Sequence, residues 1–98
     1  MYTEMPMPAY PFRWNRWNTD HIAEHGIEPA QAEYVVNHPR RGFPRFLGDG
    51  RYLAVGQDAG GLYMQAIYVF SPPGVVYVIH ARPLTDGERR RLRRGGRR

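Results

Sequence analysis

The sequence predicts an α+β domain with its helices on one face of a small antiparallel meander sheet, two short ones before the strands and a basic C-terminal one after them. Three observations predict this. Two short segments before residue 40 carry helix start and stop signals. Apolar runs between residues 42 and 82 are separated by Gly-Asp-Gly, Asp-Ala-Gly-Gly and Ser-Pro-Pro-Gly turns. A Thr-x-x-Glu pattern, Thr85 to Glu88, then opens an arginine-rich segment.

Taken in order, residues 1–11 hold three prolines and no periodicity, which predicts an N-terminal arm. Phe12-Arg13-Trp14 has the make-up of a short strand. Trp17 to Gly26 reads as a helix, with Asn18 or Thr19 as its cap, Asp20 in the positive first turn and Gly26 as the left-handed stop. In the second helix Pro29 suits the first position, and Ile27 and Ala32 suit a hydrophobic staple. Ala32, Val35 and Val36 form its apolar stripe, and Asn37-His38-Pro39 ends it. Gly42–Leu47 and Arg51–Gln57 flank the Gly48-Asp49-Gly50 turn as a hairpin. Leu62–Phe70 and Val75–Arg82 follow as strands, and the second, the most apolar, is expected at the centre of the sheet. Thr85 and Glu88 form a capping box for the last helix, Leu92 is its only apolar side chain, and Gly95-Gly96 ends it. The domain is therefore expected over residues 12–94, with 95–98 as a disordered basic tail.

At 98 residues the chain has room for one domain. Residues 1–82 balance seven arginines against seven acids, whereas residues 83–98 set seven arginines against two. The tail thus carries the whole formal charge of +5. Every basic residue is arginine, whose planar fork suits phosphate; codon bias in a GC-rich genome would produce the same usage. There is no cysteine, hence no disulfide scaffold, thiolate nucleophile or cysteine-bound zinc. No apolar run approaches the roughly 18–20 residues of a membrane span, and residues 1–12 lack the basic start of a signal peptide, so a cytoplasmic location is the default expectation.

Phosphate-loop, dinucleotide and Gly-x-Ser-x-Gly motifs are missing, and Ser71, the only serine, lies in a proline-rich turn. His21 and His25 stand four apart, which lets two imidazoles face one way, but Ile22 occupies the place where a zincin has Glu. A third ligand would have to come from far along the chain, and no metal is expected. The alternative for His25 is a bond to a carbonyl at the helix's negative end. Along Val76, Val78, His80 and Arg82 one face of the last strand is expected to begin apolar and end polar, with an imidazole and a guanidinium side by side. Together they suit phosphodiester cleavage, one moving a proton and the other steadying charge. The competing reading pairs Arg82 with Glu88 or a nearby carbonyl. Arg40-Arg41-Gly42-Phe43-Pro44-Arg45-Phe46 and Arg13-Trp14-Asn15-Arg16-Trp17 alternate basic and aromatic residues, as single-stranded RNA sites do and as many small cores also do. Arg40, Arg41 and Arg45, with Arg89, Arg90 and Arg93 of the last helix, are the candidate RNA-binding residues.

Several segments together resemble the BrnT toxin family. They are Trp17-Asn18-Thr19-Asp20-His21-Ile22, His25-Gly26-Ile27-Glu28-Pro29, Ala32-Glu33-Tyr34-Val35, Arg51-Tyr52-Leu53-Ala54-Val55-Gly56, and Val78-Ile79-His80-Ala81-Arg82-Pro83-Leu84-Thr85 with Glu88-Arg89. The resemblance spans about residues 12–93. It departs in the complete lack of lysine and in His80, where the family often has serine. It implies a RelE-like fold and a type II toxin acting as a metal-independent ribonuclease without cofactor. It also implies a cognate DNA-binding antitoxin as inhibitor and partner. Arg51 and Arg82, then His25 and Glu88, match the family's candidate positions for activity.

Together with His80, these residues give the expected catalytic set: Arg51, His80, Arg82, His25 and Glu88. The expected reaction is attack of the RNA 2′-hydroxyl on the adjacent phosphate, which needs only proton transfer and charge stabilisation from the protein. A non-catalytic RNA-binding or protein-interaction module of the same fold is the alternative.

Overall fold

The computed structural model describes residues 9–95. The elements are α1 (Arg16–Ala23), α2 (Pro29–Asn37), β1 (Arg45–Gly48), β2 (Arg51–Gln57), β3 (Tyr63–Phe70), β4 (Val76–Pro83) and α3 (Asp86–Gly95). The strands pair antiparallel in the order β1-β2-β3-β4, the meander that the three turns predict. Residues 1–8 of the expected arm and 96–98 of the expected tail lie outside the described residues.

Helix α1 starts earlier than Trp17. Asn15 is its N-cap and accepts from the Asn18 N–H at 3.1 Å, while the Asn18 side chain accepts from the Asn15 N–H at 2.8 Å. Asn18 is thus the reciprocal partner in a capping box rather than the cap. It is fully buried, and its amide also donates to the Arg13 carbonyl at 3.2 Å. An asparagine in the place usually held by Glu or Gln hides this box from a sequence reading. Gly26, at φ +75°, stops the helix as expected, and the Ile27 N–H reaches back to the Ile22 carbonyl at 3.2 Å. In α2, Pro29 takes the first turn and Gln31 accepts from the Glu28 N–H at 2.7 Å. Ile27 and Ala32, the two staple residues, are both buried.

The core lies between the sheet and these two helices. Ile22, Ile27, Ala32, Val35 and Val36 meet Ala54, Met64, Ala66, Tyr68, Val76, Val78 and Ala81. Ala54, Ala66 and Ala81 are register partners across β2, β3 and β4. This row of small side chains lets α2 approach β2 and β3 closely, while α1 packs on β4.

Three expectations need correction. First, β1 begins at Arg45 rather than Gly42. Gly42 has φ +91° and the Phe43 N–H closes a turn on the Arg40 carbonyl at 3.0 Å, so the chain is still turning there. Pro44 adds no ladder donor.

Second, β4 is an edge strand, not a central one. Its outer side is shielded by the segment before α1. The Arg13 N–H donates to the Val76 carbonyl at 2.9 Å, and the Val76 N–H donates to the Pro11 carbonyl at 2.9 Å. Helix α1 also packs on β4. Residues with an apolar pattern are thus buried with a strand on one side only, and the pattern alone does not reveal what covers the other. Tyr10, at the end of the expected arm, packs edge-on against Phe70 at 5.5 Å.

Third, the helices do not all share one face. Val55 and Gln65 alternate with the core-facing Ala54 and Ala66, and they line a groove with Leu92 of α3. That places α3 against the face opposite α1 and α2.

Candidate active site

A β-bulge decides which way the site residues point. Tyr68 pairs with Val78 but Ile67 pairs with His80, so Ile79 is the extra residue in β4. Before the bulge, Val76 and Val78 face the core; after it, Ala81 does. Strict alternation would continue the Val76–Val78 face through His80 and Arg82; the bulge turns both away from it. They still share a face with each other, because the bulge precedes both.

At this edge α1 and the turn that follows it supply the other imidazoles. Trp17, His21 and His25 recur every four residues along one side, with the buried Asn18 and Ile22 on the side turned inward. The His80 ring lies 5.3 Å from His25 and 6.1 Å from His21, with ring planes at 71° and 60°. Trp17 stacks on His21 at 5.0 Å and extends towards Tyr77 at 6.4 Å. The Arg13 guanidinium sits 3.9 Å from the Tyr77 ring centre. Trp17 is 56% exposed. The result is a continuous ledge of aromatic and imidazole rings, with a cation at one end and Arg82 beside it. No group of three or more His, Asp or Glu is arranged to hold a metal ion among the described residues.

Burial first, then His25, Arg82 and His21, push the His80 pKa down. His80 is thus held as a neutral imidazole near neutral pH, the form that accepts a proton.

Arg82 is committed to the protein. Its Nη1 donates to Glu88 Oε1 at 2.9 Å and to the Pro83 carbonyl at 3.0 Å, and its Nη2 donates to Glu88 Oε2 at 2.8 Å. This is the two-pronged carboxylate pairing that arginine favours. Glu88 also closes the α3 capping box: it accepts from the Thr85 N–H at 2.8 Å, and its own N–H donates to Thr85 Oγ1 at 3.1 Å. Its carboxyl is pulled down to about 2, chiefly by the Arg82 bonds. One side chain thereby caps α3 and ties it to β4.

Arg51 does not join the group. Its strand neighbour Tyr52 pairs with Tyr68, while Arg82 pairs with Gln65, so the two arginines sit four β3 positions apart. That is about 13 Å along the strands, in addition to two strand spacings of about 5 Å each. Arg51 instead reaches the Gly48 and Leu47 carbonyls of its own hairpin at 3.4 and 3.5 Å.

The basic residues also divide. Arg40 lines a cleft beside β2, and Arg45 lies over the Phe43 ring at 4.5 Å in the groove shared with Arg91 of α3. Arg89 is paired with Asp86. Arg41, Arg90 and Arg93 are exposed.

Of the expected catalytic residues, His25, His80, Arg82 and Glu88 therefore converge and Arg51 stands apart. His21, Trp17 and Tyr77 complete the ledge, a role the sequence alone does not assign them. The four-residue spacing of Trp17, His21 and His25 is the signal that finds the first two. Tyr77 required the structure.

Comparison with protein-family models, with curated proteins and with solved structures gives no match. Among the described residues no helix is long and apolar enough to cross a membrane.

Proposed function

We propose that the chain is a metal-independent endoribonuclease of the type II toxin class, with the RelE-like fold that its resemblance to the BrnT family implies. The observation that carries the chemistry is the His80 imidazole beside His25 and Arg82. In the reaction His80 takes the proton of an RNA 2′-hydroxyl as that oxygen bonds to the adjacent phosphorus. The bond from phosphorus to the 5′-oxygen breaks, and His25 gives a proton to the leaving oxygen. The products are a 2′,3′-cyclic phosphate and a 5′-hydroxyl. The nucleophile belongs to the RNA, so the protein supplies proton transfer, charge and placement. Trp17 is the exposed platform for a flanking base. A cytoplasmic setting and a cognate antitoxin complete this reading.

The Arg82–Glu88 pair favours a second reading, a binding module without catalysis, because a phosphate would have to displace a carboxylate already bonded at both nitrogens. One assay separates the two. Purified protein is incubated with single-stranded RNA in EDTA, and the product ends are analysed. Cleavage leaving cyclic phosphate, reduced at least about 100-fold in His80→Gln, supports the enzyme. Intact RNA with binding retained supports the module.

A further inference from the structure

We propose that the cleft beside β2, remote from the imidazole ledge, binds a nucleotide, stacking its base on the Tyr34–His38 pair and holding its phosphate on Arg40. It rests on the RNA-handling reading as a second contact point, yet it is testable with a small ligand.

The cleft has a volume of about 410 Å³, within the usual range for small-molecule sites. Tyr34 and His38, one helical turn apart at the end of α2, stack at 4.2 Å with ring planes 23° apart. Tyr34 is 39% exposed. A flat aromatic pair with an open face fits a planar ring. The His38 Nδ1–H donates to the Tyr34 carbonyl at 2.9 Å, since a carbonyl can only accept. In the neutral ring this leaves Nε2 as an acceptor. The Gln57 amide nitrogen donates to the Gly61 carbonyl at 3.1 Å, which leaves that side chain's oxygen as a second acceptor. Two acceptors beside a stacking face suit a base with an exocyclic amino group, such as adenine.

The anion has one place to go. Asp58 also lines the cleft, but its carboxylate is engaged by the Gly60 and Leu62 N–H groups at 2.9 and 2.8 Å and by Gln31 at 2.8 Å. These bonds hold its pKa below the usual value, so it stays charged and repels phosphate from that wall. On the other wall the Arg40 side chain has no ion pair or hydrogen bond among the described residues. Its backbone is fixed, because the Arg40 N–H donates to the Val55 carbonyl at 2.8 Å. Gly56 makes that close approach possible: a Cβ there would meet the His38 carbonyl at 3.2 Å and the Arg40 nitrogen at 3.5 Å. The cleft is therefore formed before any ligand arrives.

The sheet order separates this cleft from His80. It lies beside β2, and His80 is on β4. Its occupancy is thus readable without reference to cleavage.

The test is a titration of the full chain, followed by amide ¹H–¹⁵N spectra, with AMP, UMP, adenosine and inorganic phosphate. AMP is expected to shift the amides of Tyr34, Arg40 and Gly56 to Gly61, and to bind at least about tenfold tighter than adenosine or phosphate alone. Arg40→Gln should weaken AMP about tenfold and leave adenosine unchanged. Tyr34→Leu should weaken both. AMP shifts confined to the imidazole ledge, or phosphate binding as tightly as AMP, overturn the proposal. UMP binding as tightly as AMP overturns the assignment of the two acceptors. AMP bound in the cleft of a protein that leaves RNA intact supports this proposal while refuting the ribonuclease.

Discussion

Helices α1 and α3 are both opened by a reciprocal capping box, yet one is built into the core and the other is not. In α1, Asn15 and Asn18 cap the helix, and Asn18 and Ile22 are fully buried against β4 and its flanking segment. In α3, Thr85 and Glu88 cap the helix, but no described residue of it is fully buried, and Leu92 is its only large apolar side chain. A cap settles where a helix begins; burial of an apolar stripe settles how firmly it is held. His21 rides on the anchored helix, His25 on the turn just after it and His80 on the strand it packs against, while the excess charge rides on the loose helix. Geometry and long-range attraction are thereby separated within 98 residues.

The largest expected effect is on the anchored side. Ile22→Ala removes a fully buried side chain from the core and should cost about 2–5 kcal/mol. Thermal denaturation should show a loss of about 10 °C or more. Asn18→Ala should cost about 1–3 kcal/mol, since it removes the cap partner and leaves the Arg13 carbonyl and the Asn15 N–H without their bonds. If either variant melts within a degree or two of the parent, α1 is not the anchor described.

On the loose side, removing residues 89–98 should change stability by less than about 1 kcal/mol. RNA binding should weaken, and the slope of log affinity against log salt should become shallower by about 0.7 for each phosphate no longer neutralised. Unfolding of the truncated chain would show that α3 is part of the core after all.

Acid provides a finer probe, because each region carries its own titrating group. His80 has a depressed pKa, so its stabilising effect is complete above the ordinary histidine value of 6.5 and fades as pH falls below it. Glu88 is pulled from 4.5 to about 2, so the Arg82–Glu88 contribution is complete above 4.5 and is lost as pH falls towards 2. Denaturant midpoints measured against pH should therefore decline in two stages. His80→Gln should remove the upper stage, and Glu88→Gln should shrink the lower one, which Asp58 shares. The lower stage should fall short of what the bare Glu88 shift implies, because the pair is 29% and 26% exposed and partly screened by solvent.

Much of the fold is legible in the sequence. The Gly48-Asp49-Gly50 turn carries positive φ at all three residues, and Gly26 stops α1 in the left-handed conformation, as their residue types predict. What escapes is long-range. The edge position of β4 depends on backbone bonds from Pro11 and Arg13, sixty-odd residues away in sequence. The bulge at Ile79 has no glycine or proline to announce it. In the candidate site, His80 and Arg82 are visible as neighbours two apart, and His21 and His25 as neighbours four apart. Their meeting is not, because it depends on which strand α1 packs against. For the same reason Arg51 is expected beside Arg82, although the register places it at the other end of the sheet.

Single-turnover RNA cleavage in EDTA, with protein in excess over RNA, separates chemistry at the ledge from attraction by α3. The parent chain, His80→Gln and the chain lacking residues 89–98 are compared across protein concentration. The truncated chain should reach nearly the parent's maximal rate at a higher protein concentration, while His80→Gln should stay at least about 100-fold slower at any concentration. A truncated chain with a collapsed maximal rate, or a His80→Gln variant that cleaves like the parent, would contradict that separation.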